Sequence, residues 1–273
     1  MRARINKPVT WTDVLKVKYS DVRTIVGGYM STESAVQTGT RDTAYTPQPF
    51  GLTADTLTIS NYRVLAMTID EADRHQQNYT SQMEIADFQG KKISEYLEAQ
   101  MLAQYGSWTA FGVTDLANTG ADDSTDITVS AANIDDIIRA IKRKLYTNNG
   151  VDFAVEKGIF IVWRPADFEF LEAFVQANGF TEADISLKNG IPVQKAFRYM
   201  GVDHYLSTQH TATYLFAGIK GCFEVGILRS TYGKAKFLED PGLVSGLGIV
   251  SRVDYGWNQP AQLIQFSMAI NVV

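Results

Sequence analysis

The segment from Leu57 to Tyr105 constrains this chain more than any other, because it joins strand texture to a long helical stripe with little local sequence to cover the strands. Leu57 and Ile59 alternate with threonines, and then Arg63, Leu65, Met67 and Ile69 alternate with Tyr62, Val64, Ala66 and Thr68, the period of two that marks an extended chain. Ser60-Asn61 marks a bend between the two runs. Asp70-Glu71-Ala72-Asp73 then places acids ahead of a helix predicted over 80–105, where negative charge near the amino end is favoured. Met83, Ala86, Gly90, Ile93, Leu97 and Met101 form one stripe, while Glu84, Asp87, Lys91, Lys92, Glu95 and Glu98 mostly fall outside it. Such a helix is about 39 Å long, and Gly106 ends it. An extended hairpin that cannot bury both faces alone has to lie on something else, and in an assembly that something is a neighbouring subunit.

The flanks fit this picture. Residues 1 to about 45 carry scattered apolar groups, Trp11, Val14, Leu15, Val17 and Tyr19 first, then Ile25 and Val26 before a Gly27-Gly28 break. Met30 to Thr46 is rich in Ser, Thr, Gly and Gln and is expected to run extended over a surface, so the whole segment reads as an arm. Pro47 and Pro49 exclude a central strand there. Downstream, Ser130 to Asn133 caps a helix predicted from Ile134 to about Tyr146, with Ile134, Ile137, Ile138, Ile141 and Leu145 on one side. Ile159 to Trp163 is the short apolar run of a buried strand, and Pro165 opens a helix lined by Phe168, Leu171, Phe174 and Val175. From Gly190 the pattern is strands and turns, at Val193–Phe197, Val202–Leu206, Tyr214–Ala217, Phe223–Leu228, Leu247–Tyr255 and Leu263–Val272. A mixed α+β chain follows.

The residues that carry chemistry are scarce. Cys222 is the single cysteine, which excludes an intrachain disulfide and a cysteine-based zinc site; between Gly221 and Phe223 it reads as a small buried apolar residue. His75, His204 and His210 stand without an HExxH pattern or carboxylates at metal-ligand spacing, and they read as surface or structural histidines. No phosphate loop, dinucleotide fingerprint or nucleophile elbow occurs, and Gly242 to Gly248 reads as a turn. Asp122-Asp123 and Asp135-Asp136 read as solvated acids, and Arg139, Lys142, Arg143 and Lys144 as a helix-end cluster complementing the dipole in preference to a phosphate contact. No catalytic residue, cofactor site or metal site is expected. A hydrophobic fraction of 45% is ample for a core. The net charge of −5 argues against tight sequence-specific duplex binding. No stretch approaches a membrane span, and Met-Arg-Ala-Arg-Ile-Asn-Lys-Pro lacks a signal peptide's apolar run, so the chain reads as cytosolic.

The order of arm, strand pair, acid-led long helix, mixed middle and returning strands resembles the major capsid proteins of tailed bacteriophages over nearly the whole chain. Leu57 to Asp73, with Ile69-Asp70-Glu71-Ala72-Asp73 leading into the long helix, is similar to that family's strand, I-D-x-x-D turn and spine helix. Ile159 to Pro165, and Phe216-Ala217-Gly218 ahead of a strand holding Phe223 and Val225, are similar to its central domain.

The resemblance implies an α+β tailed-phage capsid fold with an N-terminal arm over 1–44, an extended β-hairpin loop over 45–70, a peripheral domain with the spine helix over 71–117 and 230–273, and an axial α/β domain over 118–229. It implies a non-enzymatic subunit of an icosahedral virion, built as homo-oligomeric hexamers and pentamers in the host cytoplasm, enclosing double-stranded DNA without sequence-specific binding. Scaffolding, portal and decoration proteins are its expected partners, with no membrane and no cofactor. Trp11, Tyr19, Phe50, Leu57, Ile59 and Tyr62 are the expected contacts between subunits. Many relatives carry a long scaffolding segment before the loop that a protease removes; here only a short arm precedes it, so scaffold is separate, already removed or unnecessary. The Lys–Asn cross-link of some relatives finds no matching positions. An encapsulin-like compartment shell is the alternative on the same fold, and an α/β hydrolase-type enzyme the alternative from another class.

Overall fold

Ile159-Phe160-Ile161-Val162-Trp163 is apolar at every position because both faces of its strand are covered. The computed structural model describes residues 10–30, 51–70, 80–117, 124–178, 196–210, 213–239 and 246–273. In chain order they form α1 (Trp11–Val14), β1 (Lys16–Ser20), β2 (Thr24–Met30), β3 (Leu52–Thr58), β4 (Asn61–Asp70), the long helix α2 (Thr80–Leu102), β5 (Thr109–Phe111) and α3 (Val113–Ala117). There follow α4 (Ile134–Thr147), α5 (Val151–Lys157), β6 (Ile159–Trp163), α6 (Pro165–Asn178), β7 (Ala196–Tyr199), β8 (Val202–Leu206) and β9 (Tyr214–Ile219). The chain finishes with β10 (Glu224–Leu228), β11 (Ala235–Glu239), β12 (Gly246–Asn258) and β13 (Ser267–Asn271).

Six strands make one sheet in the order β5-β13-β9-β6-β8-β7, and alternate residues send their side chains into two different cores. Ile159, Ile161 and Trp163 of β6 pack with the Ile134, Ile137, Ile138, Ile141 and Leu145 stripe of α4 and with Leu171 and Val175 of α6. Phe160 and Val162 share the other core with Trp11, Leu97, Met101, Trp108, Phe216, Val225 and Tyr255. The indole N–H of Trp163 donates to His204 Nδ1 at 2.9 Å, so the imidazole proton sits on Nε2, which faces the Tyr199 carbonyl at 3.3 Å.

Burial pushes the His204 imidazole down to about 4. The unfolded chain binds that proton near pH 6.5 and the folded chain does not, so stability falls as pH drops from about 6.5 and the loss is complete near pH 4. The expected loss from this histidine is about 3 kcal/mol. Urea unfolding across that window checks it: His204→Gln should reduce the pH slope by roughly one proton, and an unchanged slope would show that His204 is not its source.

The second sheet is organised by β12. Its edge from Gly246 to Tyr255 pairs with β4 from Asp70 to Asn61, and its other edge carries β11 and then β10. β1 extends this sheet by pairing parallel with β10; Lys16 and Lys18 of β1 reach the buried Glu224 at 3.0 and 2.5 Å. Helix α2 lies across the sheet. Gln89 on its buried side donates to the Ile249 carbonyl at 2.8 Å and accepts from Ser251 Oγ at 2.6 Å, and the Tyr96 and Tyr255 hydroxyls meet at 3.2 Å.

Several expectations change here. β3 and β4 are not a hairpin with each other: β3 pairs with β2 and β4 with β12, because the bend after Thr58 carries the chain from the ribbon into the sheet. In the described part of residues 1–44, read as an arm, α1 enters the second core and β1 joins a sheet of its own chain. Ser267–Asn271, grouped by sequence with the spine-helix unit, pairs with β5 and β9 in the six-stranded sheet, and β10 pairs outside that sheet. The long helix stops at Leu102 and tightens into a 3-10 turn over Ala103–Ser107. Asp122-Asp123, His75 and residues 71–73 lie outside the described residues.

Candidate assembly surface

β2 and β3 form a two-stranded ribbon whose register runs from Thr24 opposite Thr58 to Met30 opposite Leu52. Away from its base the ribbon buries little: Val26 and Leu52 are each 68% exposed. A ribbon of two strands is marginal in water without a third layer. Its base is anchored instead. Leu57 and Ile59 are buried against the second sheet at Gly226 and Gly256, where absent side chains leave room for the crossing strand. Asn258 Nδ2 donates to both Asp55 carboxylate oxygens at 3.0 and 2.9 Å, and the Ile59 N–H donates to the Arg23 carbonyl at 2.7 Å. Buried Asp254 accepts from Arg252 Nε at 2.5 Å, and Arg23 approaches it at 3.8 Å.

Beside the ribbon, β4 and β11 present further apolar surface. Tyr62, Val64, Phe237 and Leu238 are all exposed, and the Arg252 guanidinium lies 5.1 Å over the Tyr62 ring, an arrangement that fixes both side chains at the surface. Of the residues expected to touch a neighbour, Tyr19 and Tyr62 are exposed, whereas Trp11, Leu57 and Ile59 are fully buried within their own chain. The correction is physical: each is an anchor that positions an exposed element and is not itself the exposed contact. Phe50 lies outside the described residues.

Glu98 is the polar residue that the sequence pattern misplaced. Its fully buried carboxylate accepts from the Thr10 and Trp11 backbone N–H groups and from Ser207 Oγ at 2.5 Å, joining α1, α2 and the segment after β8. Burial pushes its pKa up, and those three donors oppose the shift. Glu95 is buried as well and pairs with Lys92 at 2.7 Å. A hydrophobic stripe cannot reveal that the other side of a helix is also covered; Trp11, whose indole donates to Ser94 Oγ at 3.0 Å, covers that side.

The basic cluster acts away from its own helix end. Lys144 bonds the Ala110 carbonyl at 2.9 Å and Asp115 at 2.8 Å, Arg143 bonds the Asp115 and Leu116 carbonyls, and Lys142 bonds the Met200 carbonyl. Arg139 pairs with Asp135 at 2.5 Å. Cys222 is fully buried, and burial pushes its thiol up to about 12, as a packing residue requires. Among the described residues no cluster of His, Cys, Asp or Glu is arranged to hold a metal ion, and no helix is long and apolar enough to cross a membrane.

No protein-family model and no curated protein matches the sequence. Solved structures match it end to end. A chain from Mycobacterium phage Che8 is similar at TM-score 0.69 and 11% identity, with 99% of this chain and 94% of that chain covered. The capsid of Ralstonia phage GP4 is similar at TM-score 0.65 and 7% identity, covering 100% and 93%. The capsid of cyanophage P-SCSP1u is similar at TM-score 0.64 and 11% identity, covering 100% and 90%. The chain therefore has the α+β fold of these phage chains, as its sequence resemblance implied.

Proposed function

We propose that this chain is a structural subunit of an icosahedral virion, assembling as hexamers and pentamers around packaged double-stranded DNA and catalysing no reaction. The observation that carries the reading is the match, over 100% of this chain, to the capsids of Ralstonia phage GP4 and cyanophage P-SCSP1u. The exposed ribbon supports it, because an anchored base with an uncovered body suits a contact completed by another copy. In this reading the α2–β12 layer is the peripheral domain and the six-stranded sheet with α4, α5 and α6 the axial domain. Tyr19, Tyr62 and the ribbon then meet neighbouring subunits, and scaffolding, portal and decoration proteins complete the particle. Assembly takes place in the host cytoplasm.

Negative-stain electron microscopy of the full chain expressed alone, beside size-exclusion chromatography, tests the proposal. Closed shells, tubes, or rings of five or six subunits are expected. A monomer at every concentration, alone and with the scaffolding protein of its own particle, would sink it. Shells that retain a specific cargo enzyme and no DNA would move the reading to a compartment.

A further inference from the structure

We infer that, within the shell proposed above and resting on that reading, copies of this chain meet head to tail: the basic hollow on α4 of one copy receives the acidic shoulder on α6 of the next. The hollow, of about 530 Å³, is lined by Arg139, Lys142, Arg143, Tyr146 and Met200. Among the described residues, Lys142 and Arg143 are held by carbonyl oxygens, at 2.8 Å from Met200 and at 2.6 and 3.0 Å from Asp115 and Leu116. Those acceptors fix the side chains without neutralising them, and the end of α4 offsets only about half a unit charge. Asp135 compensates Arg139. Two positioned cations therefore have no carboxylate within ion-pair distance among the described residues.

The shoulder carries the opposite imbalance. Glu169 is exposed and Glu172 half-buried on α6; burial first and the Glu169 charge second push the Glu172 carboxyl up. Neither has a cation within ion-pair distance among the described residues. Phe170, between them in sequence, is exposed and is an apolar match for Tyr146 and Met200.

Among the described residues, no ion pair joins Glu169 or Glu172 to Arg139, Lys142 or Arg143 within one chain. The hollow adjoins Met200, just before β8, whereas Pro165 and Phe170 share a separate hollow with Ser207, just after β8. The length of β8, about 17 Å, separates these two hollows. Complementary, non-identical patches on one unit specify a heterologous contact, which closes into a ring when the rotation allows. A second copy is the occupant that the charges select.

Charge reversal and cysteine trapping test this. Lys142→Glu with Arg143→Glu, and separately Glu169→Lys with Glu172→Lys, should each cut the yield of assembled particles about tenfold or more, and the four changes together should restore most of it. Independently, Lys142→Cys with Glu169→Cys in one chain should give a disulfide-linked ladder of oligomers on oxidation; Cys222 is too buried to contribute. Silent reversals, or reversals that the combination does not rescue, with no ladder, would overturn this contact and leave the shell reading standing. A wild-type chain that never self-associates would overturn both. Normal assembly with reduced DNA content after the α4 reversal would reassign the hollow to phosphate and overturn the contact.

Discussion

Gly256→Ala is expected to destabilise the subunit by on the order of 3 kcal/mol and to abolish assembled particles. A Cβ at this position would overlap the Thr58 carbonyl oxygen and come within 2.8 Å of its carbonyl carbon and 3.0 Å of Ile59 Cα. All three are backbone atoms, so no side-chain rotation relieves the overlap. The strand must lift from the sheet, taking buried Leu57 and Ile59 out of their contacts, and the ribbon loses its anchor. Gly90→Ala is the matched control: nothing lies within 4 Å of a Cβ on that helical glycine, and the change should stabilise by about 0.5–1 kcal/mol. Urea midpoints and particle counts by electron microscopy read both. Wild-type stability in Gly256→Ala would show that the crossing of β3 over β12 is not tightly seated.

Glu98→Ala should be the most damaging polar substitution, at about 3–5 kcal/mol. It removes the shared acceptor of the Thr10 and Trp11 N–H groups and of Ser207 Oγ, and each donor left buried and unpaired costs about 1–3 kcal/mol. Glu98→Gln keeps an acceptor oxygen and removes the buried charge, so most of the stability should survive. The pH dependence separates the two roles. Burial raises the folded-state pKa of Glu98, so the folded chain holds that proton more tightly and wild-type stability falls as pH rises from about 4.5 through the raised value; Glu98→Gln should lack this component. Trp11 fluorescence and proteolysis before residue 16 would report release of α1. Equal losses in both variants would assign the effect to packing and not to the hydrogen bonds.

β4, β6, β8, β9, β10, β12 and the long helix were legible because period two and period three-to-four survive in the sequence; β11 was missed, and Leu263 to Phe266, expected as strand, lies in a 3-10 turn. Ile159 to Trp163 and the α4 stripe were placed within a residue or two. The partners of β3 were not legible. Alternation tells which residues share a face and says nothing about which strand lies alongside, and β2 carries a Gly27-Gly28 break that obscures its own pattern. Trp11 and Glu98 fail together for one reason: each is explained only by the other's presence, across 87 residues of sequence. The exposed surface was half legible. Tyr19 and Tyr62 were identified, but Leu57 and Ile59 look the same in sequence as apolar residues meant for a neighbour, and only the glycines beneath them show that they are anchors.

The pairing of β1 with β10 also governs when a subunit becomes whole. Lys18 and Glu224 are 206 residues apart, so a growing chain cannot close the sheet at β1 until most of it has left the ribosome. Contacts of such separation form late and slowly. The amino-terminal strand is therefore the last seam of this sheet to close: a chain truncated before Glu224 lacks the strand on which β1 docks and leaves that edge open.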